Sequence, residues 1–297
     1  MKIGLSTYSL LPAIKSGEMS VLDVIQWIAD NGGEHVEIVP FGYNLVDNDS
    51  LIEAIRKKAE EVGIEISNYA ILANVLQEDE EAYENEIKRL MNEVDIANKL
   101  GVMRMRHDVS AFRRSADQNT IIHFEKDLPR MVDACRRIAD YAAQYGIITT
   151  VENHGFYVNG SDRIIRLIHE VNRPNFKMTL DVGNFLCMDE DPVVGVKKTL
   201  PYAVMIHLKD FYLRPSYRDP GGTTLFDCAG KWFRTFSGNF LRGAIIGQGD
   251  MDMWEILRLI KNSGYDGYIS IEFEGMENCQ YGSRVGMDNA RRILGEV

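Results

Sequence analysis

The chain of 297 residues has few cysteines and no leader-like N-terminus. Cys135, Cys187, Cys228 and Cys279 are widely scattered and form no CxxC pair. Disulfide frameworks and zinc–thiolate sites use closely spaced cysteines, so neither is expected here. A reducing compartment is expected instead. The N-terminus carries only Lys2 before a strand pattern, with no cleavage site after an apolar run. A cytoplasmic location is therefore expected.

Long apolar runs and blocks of basic residues are also absent. No stretch approaches the roughly 18 apolar residues of a membrane span. The formal net charge is −11, and a surface of that sign repels a phosphate backbone. The composition, 45% hydrophobic and 26% charged, is ordinary for a soluble enzyme. We expect a small-molecule ligand and neither a nucleic acid nor a membrane as partner.

What the chain does contain is a strict alternation of strand and helix patterns. The strand patterns cover residues 2–9, 35–39, 64–71, 102–107, 147–152, 176–181, 202–207 and 268–273. The helical patterns cover residues 20–31, 51–62, 78–100, 120–145, 161–171, 192–199, 252–262 and 278–294. Met103 and Met105, in the fourth strand pattern, are expected in the core.

Sequential strand–helix units imply parallel strands joined by right-handed crossovers. Eight such units in a chain of this length predict one domain over residues 1–297, a single (β/α)8 TIM barrel. The alternative is a doubly wound sheet, but the first strand is not followed by a GxGxxG turn.

The segment 211–249, after the seventh strand, is far longer than the usual connection of about 2–6 residues. We expect it to form a lid over a polar ligand or an interface in a homo-oligomer, because its composition argues against disorder. Its aromatic and basic residues are Trp232, Phe233, Arg234, Phe236, Phe240 and Arg242.

Four strand patterns end in residues that bind metals. They are Glu152, Asp181, His207 and Glu272, on the fifth to eighth strands. In a barrel these strand ends meet at one rim. Each residue alone can be a strand cap or a hydrogen-bonded bystander, but clustered carboxylates are costly without a cation. Three carboxylates and one imidazole suit one divalent ion, Mn²⁺ first, with Mg²⁺, Co²⁺ or Zn²⁺ as alternatives.

The segments around these four residues resemble the xylose isomerase-like barrel superfamily of sugar phosphate isomerases and epimerases. The resemblance covers nearly the whole chain, and its specific part is the order Glu-Asp-His-Glu on four successive strands. It implies that one divalent ion is bound by all four residues. It also implies that Glu152 and Glu272 are the catalytic acid/base pair on opposite sides of a monosaccharide or related polyol derivative.

The expected reaction is proton transfer through a metal-stabilised enediolate. A metal on the carbonyl and the adjacent hydroxyl acidifies the neighbouring C–H, one glutamate removes that proton, and the other returns one. Return to the opposite face is epimerisation, and return to the adjacent carbon is isomerisation. A keto-inositol-type dehydratase (a lyase) and a non-catalytic sugar-binding barrel are the alternatives.

Five further basic residues are expected near the substrate: His154, Lys209, Arg106, His107 and Arg242. His154 follows Glu152 by two residues and otherwise bonds to the backbone. Lys209 follows His207 by two residues, so strand alternation directs both to one side. The alternative for Lys209 is an ion pair with a neighbouring acid, and Glu37 on the second strand is expected to form a salt bridge within the barrel.

Two positions depart from the ketose 3-epimerases of this superfamily. Those enzymes have histidines where this chain has Asn184 and Lys209, which argues against a free-ketose 3-epimerase. The endonuclease branch needs a trinuclear zinc site with several more histidines. The chain has 6 histidines in total and a strong acidic excess, which argues against that branch as well.

Overall fold

The computed structural model describes residues 1–110, 114–224 and 230–297. Cys228 and part of the segment 211–249 lie outside the described residues. The strands are β1 (Lys2–Ser6), β2 (His35–Ile38), β3 (Glu65–Ile71), β4 (Arg104–His107), β5 (Ile148–Glu152), β6 (Phe176–Asp181), β7 (Ala203–Leu208), β8 (Asp210–Arg214), β9 (Phe233–Arg234), β10 (Phe240–Ala244) and β11 (Tyr268–Ile271). Eight of them, β1 to β7 and β11, close a parallel barrel in the order β1-β11-β7-β6-β5-β4-β3-β2. The predicted single (β/α)8 barrel is confirmed.

Helices surround the barrel. They are α1 (Leu11–Ser16), α2 (Val21–Asp30), α3 (Asp49–Val62), α4 (Glu80–Leu100), α5 (Ile121–Ala143), α6 (Ser161–Val171), α7 (Pro192–Thr199), α8 (Met253–Asn262) and α9 (Cys279–Glu296). Local chemistry sets their ends: Ser20 and Asp23 form a capping box at the start of α2. Gly101 ends α4 in the left-handed conformation, at φ 77°. None of the helices in the described ranges is both long and apolar enough to cross a bilayer.

The core lies between the barrel and these helices, so the strands are buried on both faces. Met105 in β4 is fully buried, as expected. The same expectation for Met103 is wrong: β4 begins one residue later, and the Met103 side chain is 55% exposed. A four-residue strand leaves its flanking residue outside the packed layers.

The segment 211–249 contains a small antiparallel sheet that the sequence did not predict. Its strand order is β8-β10-β9. Phe240 of β10 pairs with Arg214 on one side and with Arg234 on the other. The Phe211 and Phe233 rings meet edge to face, with centroids 5.8 Å apart. Strands this short carry too few alternating residues to show a period, so the sequence predicts a loop.

Candidate metal centre and substrate cavity

Glu152, Asp181, His207 and Glu272, here called the four-ligand cluster, lie at the carboxyl ends of neighbouring barrel strands. Glu152 and Asp181 are the last residues of β5 and β6, and Glu272 directly follows β11. The strand register pairs His207 of β7 with Asp181 on one side and with Ser270 on the other. All four side chains are buried, and one ligand atom from each lies within 4.8 Å of the others. The cluster therefore has the size and composition to hold one metal ion.

Two ligand atoms of the cluster accept no hydrogen bond from the described part of the chain, which leaves their lone pairs available to a metal. Asp181 Oδ1 accepts hydrogen bonds from the backbone N–H groups of Gly183 (2.7 Å) and Asn184 (2.9 Å). Asp181 Oδ2 and His207 Nδ1 are buried and accept no hydrogen bond from the described residues. Buried polar atoms normally have partners. An imidazole nitrogen without a hydrogen bond to the described residues, close to a carboxylate oxygen whose contact is an ion pair with Lys209, fits a divalent cation.

The orientation of the His207 ring is fixed from behind. Its Nε2 lies 2.9 Å from Oε1 of Glu37 on β2, and Asn68 Nδ2 donates to the same oxygen at 2.7 Å. Because a carboxylate accepts only, Nε2 is the protonated nitrogen, and the Nδ1 lone pair points to the cluster. Carboxylate–histidine pairs of this kind orient metal ligands and raise their basicity. The predicted salt bridge of Glu37 is thus with the cluster itself.

Positive neighbours keep both glutamates of the cluster ionised. Burial raises the pKa of Glu152, but Arg106 and His207 outweigh it, so that this pKa lies well below the usual range. Burial likewise raises the pKa of Glu272, and Lys209 and His207 lower it further than burial raises it. Both carboxylates therefore carry charge at neutral pH.

The raised pKa values of the other two ligands, Asp181 and His207, reflect an excess of negative charge in the cluster. Burial, together with Glu152 and Glu272, raises the pKa of Asp181 to about 6 even though Lys209 lowers it. Burial lowers the pKa of His207, but the surrounding glutamates hold it well above its usual value. A cluster that draws protons in this way gains stability from a bound cation.

Arg106 connects Glu152 to a second buried acid. Its Nε donates to Glu152 Oε2 at 2.6 Å, and its Nη2 contacts the same oxygen. Nη2 also lies 3.5 Å from Asp108 Oδ1, which in turn lies 3.2 Å from His154 Nδ1. Burial lowers the pKa of His154, but Asp108 and Glu152 together raise it by more. The chain Glu152–Arg106–Asp108–His154 fixes one side of the site.

Lys209 fixes the other side. Its Nζ lies 2.9 Å from Glu272 Oε2, 3.3 Å from Asp181 Oδ2 and 3.4 Å from Glu274 Oε1. Tyr8 donates to the same Glu274 oxygen at 2.8 Å. The ion-pair alternative for Lys209 is what the structure shows, with three acids other than the adjacent Asp210.

A cavity of about 810 Å³ opens at the cluster and extends across the rim toward β1, β2 and β3. Its charged side is formed by Arg106, Glu152, His154, Lys209, Glu272 and Glu274. Its apolar lining, here called the apolar wall, is formed by Leu11, Val39, Phe41 and Leu72, which follow β1, β2 and β3, and by Phe156, which follows β5.

Two predicted substrate-binding residues do not line this cavity. His107 is fully buried, with Nδ1 3.0 Å from the backbone oxygen of Asp108 and its ring beside Phe176. Arg242 donates to Met276 Sδ at 3.1 Å and stacks on the rings of Tyr212 and Trp232, within the small sheet. None of the described residues of the segment 211–249 lines the cavity.

Several residues of the site were not assigned to it from the sequence. Asn184 donates to Glu152 Oε1 at 3.0 Å. Asn153 pins β5 to β6 through the backbone oxygen (2.8 Å) and N–H (2.9 Å) of Asp181. Glu274 lies two residues after Glu272, so the alternation that indicated Lys209 also indicates Glu274. Tyr8 and the residues of the apolar wall carry no such signal, because the connections that follow the strands place them.

The fold agrees with comparisons to known proteins. The model of the xylose isomerase-like TIM barrel family matches residues 25–293. A search among curated proteins finds no match. Among solved structures, the probable 3-DHS dehydratase AsbF of Bacillus anthracis superposes with a TM-score of 0.74 at 19% identity, over 97% of this chain and 98% of that one.

Two further structures have the same fold. The IOLI protein, solved with a zinc atom, gives a TM-score of 0.74 at 16% identity, over 100% of this chain and 99% of that one. The D-psicose 3-epimerase of Clostridium cellulolyticum H10 gives 0.72 at 16% identity, over 99% of each chain. At these identities the likeness shows the fold alone, whereas the family model spans most of the sequence. The chain belongs to the xylose isomerase-like TIM barrel family.

Proposed function

We propose that this protein is a divalent-metal-dependent sugar isomerase or epimerase that moves a proton next to a carbonyl. The observation that carries the proposal is that two buried, ionised glutamates both approach the imidazole ring of His207. Glu152 Oε1 and Glu272 Oε1 lie 3.7 Å and 3.4 Å from His207 Nδ1, and both side chains line the same cavity. A bound divalent ion supplies a Lewis acid that acidifies the C–H beside a carbonyl.

The hydrogen bonds divide the acid/base work between the two glutamates. Both oxygens of Glu152 are engaged, by Arg106 and by Asn184. Glu272 contacts Lys209 at Oε2, at 2.9 Å, and its Oε1 has only the longer contact of 3.4 Å with His207 Nδ1 among the described residues. We assign the first proton abstraction to Glu272, because its Oε1 competes with fewer donors. Glu152, which is ionised in the free protein, would take a proton from a substrate hydroxyl or from water before it returns one to the carbon. The proton on Glu272 would pass to the substrate oxygen or to water, which restores both carboxylates.

The other charged residues of the cavity hold substrate oxygens in this proposal. His154 is anchored through Nδ1 to Asp108, so its other ring nitrogen can bind a hydroxyl. Arg106 and Lys209 both line the cavity and stabilise negative charge that develops on the substrate. The metal proposed first is Mn²⁺, and the zinc of the IOLI structure makes Zn²⁺ the first alternative to test.

The test is proton exchange in deuterated water. The protein would be loaded in turn with Mn²⁺, Mg²⁺, Co²⁺ and Zn²⁺ and incubated with aldoses, ketoses, keto-inositols and their phosphates. A chelator would then remove the metal before NMR. We expect metal-dependent deuterium uptake beside a carbonyl that is lost in Glu272→Gln and kept in Glu61→Gln, a matched change on the surface of α3.

The outcomes separate the reaction classes. Label at one carbon with inverted configuration indicates epimerisation, and label at the neighbouring carbon indicates isomerisation. An absorbing enone, formed by loss of a hydroxyl after enolisation, would replace the proposal with a dehydratase. Absence of exchange across the panel, with no stoichiometric metal binding, would contradict an enzymatic role and leave a sugar-binding barrel.

A further inference from the structure

The cavity is larger and more apolar than a free monosaccharide needs. Its volume of about 810 Å³ lies in the upper part of the range of ligand pockets, roughly 300–1,000 Å³. The charged side, around the four-ligand cluster, provides donors and acceptors for a polyol. The apolar wall is built from five side chains without a hydrogen-bonding atom. A sugar hydroxyl against this wall would lose its water partners and gain none, which is unfavourable.

The wall is a formed surface. Leu11, Val39 and Phe156 are buried, whereas Phe41 and Leu72 are half-buried at the cavity. Phe156 has φ 63°, a left-handed conformation that costs a bulky residue free energy. Asn119 Nδ2 donates to the backbone oxygen of Phe156 at 2.7 Å, and the Phe156 ring packs edge to face against Phe233. The surrounding chain thus maintains a strained backbone that keeps an aromatic ring in the wall.

Tyr8 joins the two sides of the cavity. Its hydroxyl donates to Glu274, next to Lys209, while its ring meets that of Phe41 edge to face at 6.1 Å. Charged and apolar surfaces are therefore continuous, and one ligand can contact both.

The described cations that line the cavity do not form a phosphate site. Arg106 is paired with Glu152, and Lys209 contacts three carboxylates. Arg114 pairs with Asp127 at 2.6 Å and lies over the Tyr157 ring. Of the described cations that line the cavity, this leaves the exposed Lys15 and His154, which contacts Asp108, whereas phosphate recognition uses several charge-assisted hydrogen bonds.

We propose that the substrate is a sugar or cyclic polyol that carries an apolar, ring-sized substituent. The polar ring binds at the four-ligand cluster, and the substituent lies against the apolar wall. That this ligand is a substrate rests on the proposed function. That it carries an apolar substituent rests on the shape and chemistry of the cavity.

The test compares ligands that share a polar ring and differ in the substituent. Methyl and phenyl glycosides of glucose and galactose, and a hexose phosphate, would be titrated calorimetrically into the Mg²⁺-loaded protein. We expect each phenyl glycoside to bind at least about tenfold more tightly than its methyl partner, the effect of burying one phenyl group. Leu72→Asn and Phe41→Asn should reduce this ratio to about threefold or less. Ile122→Asn, at a position 77% exposed on α5, should preserve it.

Equal binding of the methyl and phenyl glycosides, or tighter binding of the hexose phosphate, would overturn the inference. Proton exchange on free sugars without a phenyl advantage would overturn the inference and leave the proposed reaction standing. A phenyl advantage in a protein that exchanges no proton would support the wall and overturn the proposed reaction.

Discussion

The two halves of the barrel rim use the same backbone frame for opposite purposes. At the ends of β5, β6, β7 and β11 the chain buries three acids and a histidine, each held by further hydrogen bonds or ion pairs. Beyond β1, β2 and β3 the loops present apolar side chains to the same cavity. Buried charges act on a substrate only when their positions are fixed, whereas an apolar wall needs shape alone. Exchange of a single functional group should therefore impair the charged half. The apolar half should be impaired only by changes that remove contact area with the ligand.

The largest effect is expected from Glu272→Gln. The change keeps the shape of the side chain and removes the proposed base, so deuterium exchange should fall by about 10²- to 10⁴-fold. The affinity for a phenyl glycoside should change much less, because the apolar wall is intact. Exchange rates by NMR and affinities by calorimetry, on the same preparation, measure the two halves separately. Equal losses in both quantities would contradict their independence.

The next effect is on stability. Arg106→Met leaves Glu152 and Asp108 buried without their guanidinium, which should lower the free energy of unfolding of the metal-free protein by about 3–5 kcal/mol. Arg258→Met is the control: Arg258 pairs with Glu255 at 2.7 Å on the exposed face of α8, and its loss should cost about 1 kcal/mol or less. Urea unfolding of both variants gives the comparison.

The double variant Arg106→Met/Glu152→Gln sharpens this prediction. Removing the unpaired charge should restore part of the stability that Arg106→Met loses. If Arg106→Met costs no more than Arg258→Met, the pair with Glu152 does not hold the charged half together.

The sequence predicted the charged half far better than the apolar half. The ranges of β6, α6 and α7 match their sequence patterns residue by residue, because periodicity and end signals are local. The cluster was visible because its members follow strands, whose ends a barrel must bring together. Arg242 shows the limit: the partners of an arginine on a long segment depend on tertiary packing. Phe41 and Leu72 joined the site through loop paths that no sequence period describes.

Two buried histidines, His35 at the amino end of β2 and His207 at the rim, respond to their surroundings in opposite ways. Burial lowers the pKa of His35 on β2 to about 4, although its Nε2 lies 3.1 Å from the backbone oxygen of Ile269. The acids around His207 on β7 raise its pKa instead. The pKa of a buried histidine is thus lowered where burial dominates, as at His35, and raised where several carboxylates surround the ring, as at His207.

The lowered pKa of His35 predicts that the free energy of unfolding decreases in acid. Its folded pKa lies below the unfolded value of about 6.5, so the unfolded state binds more protons. Its contribution is fully present above that value and is lost as the pH falls toward the folded pKa. Between about pH 7.5 and about pH 4.5 the wild type should lose roughly 2–3 kcal/mol more than His35→Leu. Urea unfolding at both pH values measures this, and His169→Asn, at an exposed position, should behave as the wild type does.

The smallest effect tests how the charged half orients its ligands. In Glu37→Gln the His207 ring keeps an acceptor at Nε2 but loses the carboxylate that makes Nδ1 more basic. Changes at such supporting residues lower metal affinity by about 10- to 100-fold, and we expect the lower end because the hydrogen bond survives. Titration with Zn²⁺ against a competing chelator measures the change. Glu93→Gln is the matched control, since Glu93 is equally a buried glutamate but bonds Tyr69 and Arg89, away from the cluster. An affinity equal to that of the control would mean that backbone register alone orients His207, and the charged half would then need fewer supporting contacts than its hydrogen bonds indicate.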